Sequence, residues 1–130
     1  LNMEKKELTK AEEQVMQILW GLEKSFLKNI VEKFPAPRPA YTTVSTVVRV
    51  LVRKGFIGFK TYGKINEYYP LISKNEYLKR KVKPIISNYL DKSPSAFASY
   101  FTEAKLNVSE LEQIKHLIEE KINKLKSKRN

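Results

Sequence analysis

Between Lys33 and Asn66 the chain contains no Asp or Glu, yet it holds seven cations: Lys33, Arg38, Arg49, Arg53, Lys54, Lys60 and Lys64. Set among them are the hydroxyls of Thr42, Thr43, Ser45 and Thr46. A cationic surface free of carboxylates attracts polyanions, because each phosphate met by Lys or Arg releases condensed counterions. Short hydroxyls on the same surface can hydrogen-bond phosphate oxygens or base edges in a groove. The chemistry on offer is recognition of duplex DNA.

Bond-making chemistry finds little support. The chain has no cysteine and a single histidine, His116. That excludes disulfides and thiolate metal sites and argues against zinc hydrolases and His-based triads. Glu12/Glu13 and Glu119/Glu120 are adjacent in sequence, so on a helix their carboxylates diverge, unlike a general acid facing its base. Gly55 and Gly58 are too few for a phosphate-cradling loop. His116, flanked by Lys115 and Glu119, is expected in solvent. No enzyme activity, metal or cofactor is expected.

The whole composition agrees with a folded protein of one domain, or one small domain with an appendage: 130 residues, 42% hydrophobic and 30% charged. The net charge of +11 and pI near 9.8 favour a polyanionic partner. Basic proteins also bind anionic membranes or simply stay in solution, so charge does not choose alone. No apolar run approaches the roughly 18 residues of a membrane span, and the start of the chain lacks the apolar core of a signal peptide. A cytoplasmic protein without membrane insertion is expected.

Several elements must hold the cationic stretch in place. Thr9-Lys10-Ala11-Glu12 reads as a capping box opening a helix with Val15, Met16, Ile18, Leu19 and Trp20 on its apolar face, and Gly21 is expected to end it. A second helix is expected from Phe26 to Phe34, capped by Ser25, before Pro35, Pro37 and Pro39 extend the chain. The next segment is rich in Val, a strand former. Its spacing nevertheless puts Val44, Val47, Val48, Leu51 and Val52 on one helical stripe, closed by Gly55, with Thr43, Thr46, Arg49, Val50 and Arg53 outward. Phe56–Tyr62 and Glu67–Ile72 read as a hairpin about Gly63, with Pro70 weakening the second strand.

From Ser73 onward the chain turns helical. Ser73-Glu76, Ser93-Pro94 and Ser109-Glu112 mark three helix starts, and Pro84 is expected to kink or restart the first.

Three helices followed by a hairpin is the order of a winged helix-turn-helix, whose third helix enters the major groove. The fold class expected is mainly α with a small β-hairpin: a winged-helix DNA-binding domain over 8–73, then a helical dimerisation domain over 74–127. Thr42, Thr43, Ser45, Thr46, Arg49, Arg53 and Lys54 are the candidate recognition-helix contacts, and Lys60, Tyr62 and Lys64 the wing contacts. Ile85, Ile86, Tyr89, Leu90, Phe97, Phe101, Leu111, Ile114, Ile118 and Ile122 are too many apolar residues to hide against a small winged helix. A second copy is the simplest cover, and a two-fold dimer suits a palindromic operator. The other outcome is that these residues fold back on their own core. A winged-helix module for RNA or protein assembly, without sequence-specific DNA binding, is the rival function.

Leu8-Thr9-Lys10-Ala11-Glu12 with Val15-Met16-Gln17-Ile18-Leu19-Trp20 resembles the opening of the penicillinase-repressor family (BlaI/MecI/CopY type). Tyr41-Thr42-Thr43-Val44-Ser45-Thr46-Val47, then Lys54-Gly55-Phe56-Ile57, resembles its recognition helix and wing start. Tyr68-Tyr69-Pro70-Leu71-Ile72 is similar to its second wing strand. The resemblance covers about Leu8 to Glu120. It implies a dimeric transcriptional repressor whose partners are operator duplex DNA and, in many gene pairs, a membrane-bound sensor protease that ends repression by cleavage. The family's Asn-Phe cleavage bond matches Tyr100-Phe101 here, with Tyr100 in place of Asn. The copper-responsive branch carries cysteine-rich metal motifs, which this chain lacks.

Overall fold

The computed structural model describes residues 7–90 and 93–129. Thr9 opens α1 (Lys10–Leu22) with the expected reciprocal cap: its hydroxyl accepts from the Glu12 N–H, and the Glu12 carboxylate accepts from the Thr9 N–H. The helix outruns Gly21 to Leu22, and its C-cap is Glu23, which adopts a positive φ of 70° at the place where glycine was expected. The next correction is at Ser25. It caps nothing; with Phe26 it forms β1 (Ser25–Phe26), and α2 (Leu27–Glu32) follows with Phe26 at its N-cap.

The Val-rich segment is helix α3 (Tyr41–Arg53). Burial of Val44, Val48 and Leu51 outweighs strand propensity, and Val47 and Val52 pack partly buried at the edge of the same core. Gly55, at φ 83°, turns the chain out of the helix. β2 (Ile57–Tyr62) and β3 (Ile65–Pro70) pair antiparallel from Ile57↔Pro70 to Tyr62↔Ile65, so the second strand starts two residues earlier than the aromatic pattern predicts. β1 pairs with the other edge of β3, giving the order β1-β3-β2. Gly58 lies under the Tyr69 ring, where an added Cβ would sit 2.8 Å from the ring carbons.

Val15, Met16 and Leu19 of α1, Ile30 of α2, the three α3 residues, Phe56, Ile57, Ile72 and Tyr77 make one buried cluster. At about 1.5–3 kcal/mol per fully buried large side chain, this cluster is the main source of the fold's stability. Trp20 seals one side by donating from Nε1 to the Ile72 carbonyl at 2.8 Å.

The chain divides into two compact units, Leu1–Lys81 and Val82–Asn130, and the division falls inside α4 (Lys74–Tyr89). Pro84 lies within that helix and does not end it. The second unit continues with α5 (Pro94–Glu103), capped by Ser93, and α6 (Val108–Arg129). The cap of α6 is Asn107, not Ser109: Asn107 and Glu110 exchange side chain-to-backbone hydrogen bonds at 2.8 and 3.0 Å. No described residue beyond Tyr77 is buried.

Candidate nucleic-acid interface

The face of α3 opposite the core is polar and cationic. Thr42, Thr43, Thr46, Arg49 and Arg53 are exposed, Ser45 is half-buried, and Val50, expected outward, is also half-buried. Thr46 lies between two neighbours one turn away on either side. Its hydroxyl donates to the Thr42 carbonyl at 3.0 Å and accepts from Arg49 Nη2 at 3.5 Å. Among the described residues this long contact is the one hydrogen bond the guanidinium makes, which leaves further donors for a ligand.

Lys54 is used differently from the other cations. Its Nζ lies 2.7 Å from Oε1 of Glu12 and 3.4 Å from the Glu7 carbonyl. Glu12 is 6% exposed, so the ammonium closes a buried carboxylate that also caps α1. Burial alone would raise the Glu12 pKa; the hydrogen bond and charge of Lys54, with the Thr9 bonds, outweigh it and hold the carboxyl below its ordinary range. Lys54 therefore ties the end of α3 to the start of α1. The partner lies 42 residues away in sequence, and no local pattern announces it.

Glu13 makes the companion tie. Its Oε2 accepts from Lys81 Nζ at 2.7 Å and from the Tyr77 hydroxyl at 2.6 Å. These hydrogen bonds hold its pKa low against burial, while burial and the nearby Glu13 carboxylate push the Tyr77 phenol up. The adjacent carboxylates diverge, as helical geometry requires: one serves α3 and the other α4.

On the hairpin, Lys60, Tyr62 and Lys64 are all exposed. Lys60 Nζ stands 5.3 Å from the centre of the Tyr62 ring, a cation–π distance, and Phe26 meets that ring edge-on at 6.3 Å. The acid-free run stops short of Glu67 in sequence, but strand pairing sets Glu67 opposite Lys60. The wing is thus less uniformly cationic than its sequence. Lys64 lies in the turn beyond this pair, outside the strand register.

In the second unit Ile85, Tyr89, Phe101, Leu111, Ile118 and Ile122 are exposed, and Ile86, Leu90, Phe97 and Ile114 are partly so. Phe97 and Phe101 touch edge-on, with ring centres 5.7 Å apart. Tyr100 and Phe101 both lie on α5, the first 57% exposed. No helix among the described residues is long and apolar enough to cross a membrane, and no described group of His, Asp or Glu could hold a metal ion.

Helices α1 to α3, the paired hairpin and the polar outer face of α3 define a winged helix-turn-helix protein with a helical extension. The penicillinase repressor family model matches residues 8–120. The chain belongs to the penicillinase repressor family, a family of transcriptional repressors. It is 27% identical over 117 residues to the methicillin resistance regulatory protein MecI of Mammaliicoccus sciuri, covering 88% of this chain and 95% of that protein. The MecI protein of Staphylococcus aureus strain N315 is 26% identical with the same coverage. The solved DNA-binding domain of the repressor BlaI is 20% identical, with a TM-score of 0.49, over 55% of this chain and 88% of that one.

Proposed function

We propose that the chain is a sequence-specific transcriptional repressor that binds a palindromic operator as a homodimer. The observation that carries this reading is the two-sidedness of α3. Val44, Val48 and Leu51 fix one face in the core, while Thr42, Thr43, Thr46, Arg49 and Arg53 stand exposed in a stretch without acids. In the major groove, Arg49 would take a guanine edge and the threonines base edges or phosphates. Arg53 and the wing residues Lys60, Tyr62 and Lys64 would meet the backbone, which sets register without reading sequence. Lys54, bound to Glu12, serves by positioning α3.

The division of labour places DNA binding in 8–73 and dimerisation in 74–127. Support for the second part is its exposed apolar series on α4, α5 and α6, which a second copy would cover. Relief of repression acts through the same helices: a cut by a membrane-bound sensor protease at Tyr100-Phe101, on exposed α5, would part the two reading heads. Mass spectrometry of the protein recovered after induction tests this step, and an intact chain would sink it.

The test of the main reading is selection of preferred sequences from a random duplex pool at near-physiological salt, where non-specific binding is weak. An enriched palindrome is expected. Binding without enrichment, fading uniformly with salt, would overturn it in favour of an RNA or assembly module.

A further inference from the structure

Beside α3 lies a concavity of about 730 Å³ that takes in the hairpin turn with its wing residue Lys64. It is walled by the start of α2, the first residue of α3 and the hairpin turn, and its volume falls within the roughly 300–1,000 Å³ of ordinary ligand clefts. Two cations face it, Lys28 and Lys64, together with the amides of Asn29 and Asn66, the Tyr41 phenol and the Phe26 ring. None of its lining residues is acidic. Lys28, Asn29, Lys64 and Tyr41 are exposed, the last by 55%.

We infer that this groove receives a sugar-phosphate segment of the operator strand flanking the major groove. The inference rests on the DNA-binding reading of α3 and extends it, adding Lys28, Asn29, Tyr41 and Asn66 to the wing residue Lys64 that reading already uses. Charge complementarity carries it: two lysines and two side-chain amides line one groove with no acidic residue among them, the donor set that a phosphodiester accepts from. Continuity carries it further, because Tyr41 is both a wall of the groove and the first residue of the reading helix. The Phe26 and Tyr41 rings offer apolar surface against which a sugar can rest. Asn66 is already fixed, accepting from the Thr61 hydroxyl at 2.8 Å, which leaves its amide N–H groups for the strand. The positive charge of Lys28 is separated in sequence from the recognition segment by the Pro35–Pro39 loop, so its place beside Lys64 exists only in the fold.

A phosphate contact and a base contact leave different signatures. Each lysine that neutralises a backbone phosphate adds about 0.9 to the slope of log affinity against log salt, irrespective of DNA sequence. The experiment measures binding of the full chain to its selected operator and to a random duplex across a salt series. The proteins are wild type, Lys28→Gln, Lys64→Gln, the double variant and Arg49→Ala. Each single lysine change is expected to lower the slope by about 0.9 and to weaken both duplexes by one common factor. The double variant should lose about twice that slope, with thermal unfolding unchanged. Slopes and affinities equal to wild type in both lysine variants would overturn the groove, as would a loss confined to the operator. Wild type that binds neither duplex would instead bring down the DNA-binding reading itself. A wild-type and Arg49→Ala contrast that holds while the lysine variants stay silent would sink the groove alone. Inorganic phosphate at constant ionic strength gives the last arm: weakened binding in wild type but not in the double variant identifies the groove as a phosphate site. Equal weakening in both would count against it.

Discussion

The two units are built from similar amphipathic helices and meet opposite fates. In the first, the stripes of α1, α2 and α3 close on one another, and Met16, Leu19, Ile30, Val48 and Leu51 are fully buried. In the second, α5 and α6 carry comparable residues, yet Leu111, Ile118 and Ile122 remain exposed. Apolar spacing therefore says that a face wants cover, and not where the cover comes from. A face matched within the chain becomes core; a face left open is, on the proposed reading, the one a second copy covers.

The largest effect that could break this contrast lies in the open unit. Ile118→Asp places a charge on the exposed stripe and is expected to make sedimentation report a monomer. Operator affinity should then fall by about 10²–10⁴-fold through lost effective concentration, with the thermal stability of the first unit unchanged. A variant that stays dimeric would remove α6 from the interface. In the closed unit the effect is on folding: Leu51→Ala should cost about 2–5 kcal/mol in urea unfolding, because a cavity opens beneath α3. An Ile118→Ala chain held monomeric by dilution should show almost no such loss. Next in size is Arg49→Ala, expected to weaken operator binding by about 1–3 kcal/mol and relax selection at one base position, with stability intact.

The smallest effect sharpens how the closed unit is pinned. Glu12 and Glu13 both titrate below their ordinary 4.5 in the folded chain. Their stabilisation is present in full above that value and disappears as pH falls through the lower folded-state values. The urea midpoint of wild type should therefore drop on acidification below about pH 4.5. Glu12→Gln should unfold about 1–2 kcal/mol more easily at pH 7 and show a flatter acid decline. A parallel decline in both proteins would exclude Glu12 as a source of acid sensitivity.

Much of the fold was legible because its signals are local. The spacing of Val44, Val48 and Leu51 outweighed the strand preference of the valines, and the Thr9–Glu12 box is where the pattern put it. What stayed hidden depends on distant partners. β1 is two residues long and exists only because Ser25 pairs with Tyr68; by sequence alone Ser25 looks like a cap. The pairing of Lys54 with Glu12 across 42 residues has no local signal either. At α6, Asn107-Glu110 and Ser109-Glu112 both have capping spacing, and the helix begins at the earlier one. Of the candidate site, the outer face of α3 was readable, whereas Lys28, Asn29 and Tyr41 were not, because a groove between three elements has no linear signature.

The two faces of α3 also differ in what inheritance can do with them. A change at Val48 or Leu51 is filtered first by whether the chain folds at all. Thr42, Thr43, Thr46 and Arg49 contribute little to the core, so substitutions there pass that filter and, on the proposed reading, are judged only by which promoter they recognise. A gene duplicated with this helix can thus acquire a new set of targets in a few steps while its descendants keep one common scaffold.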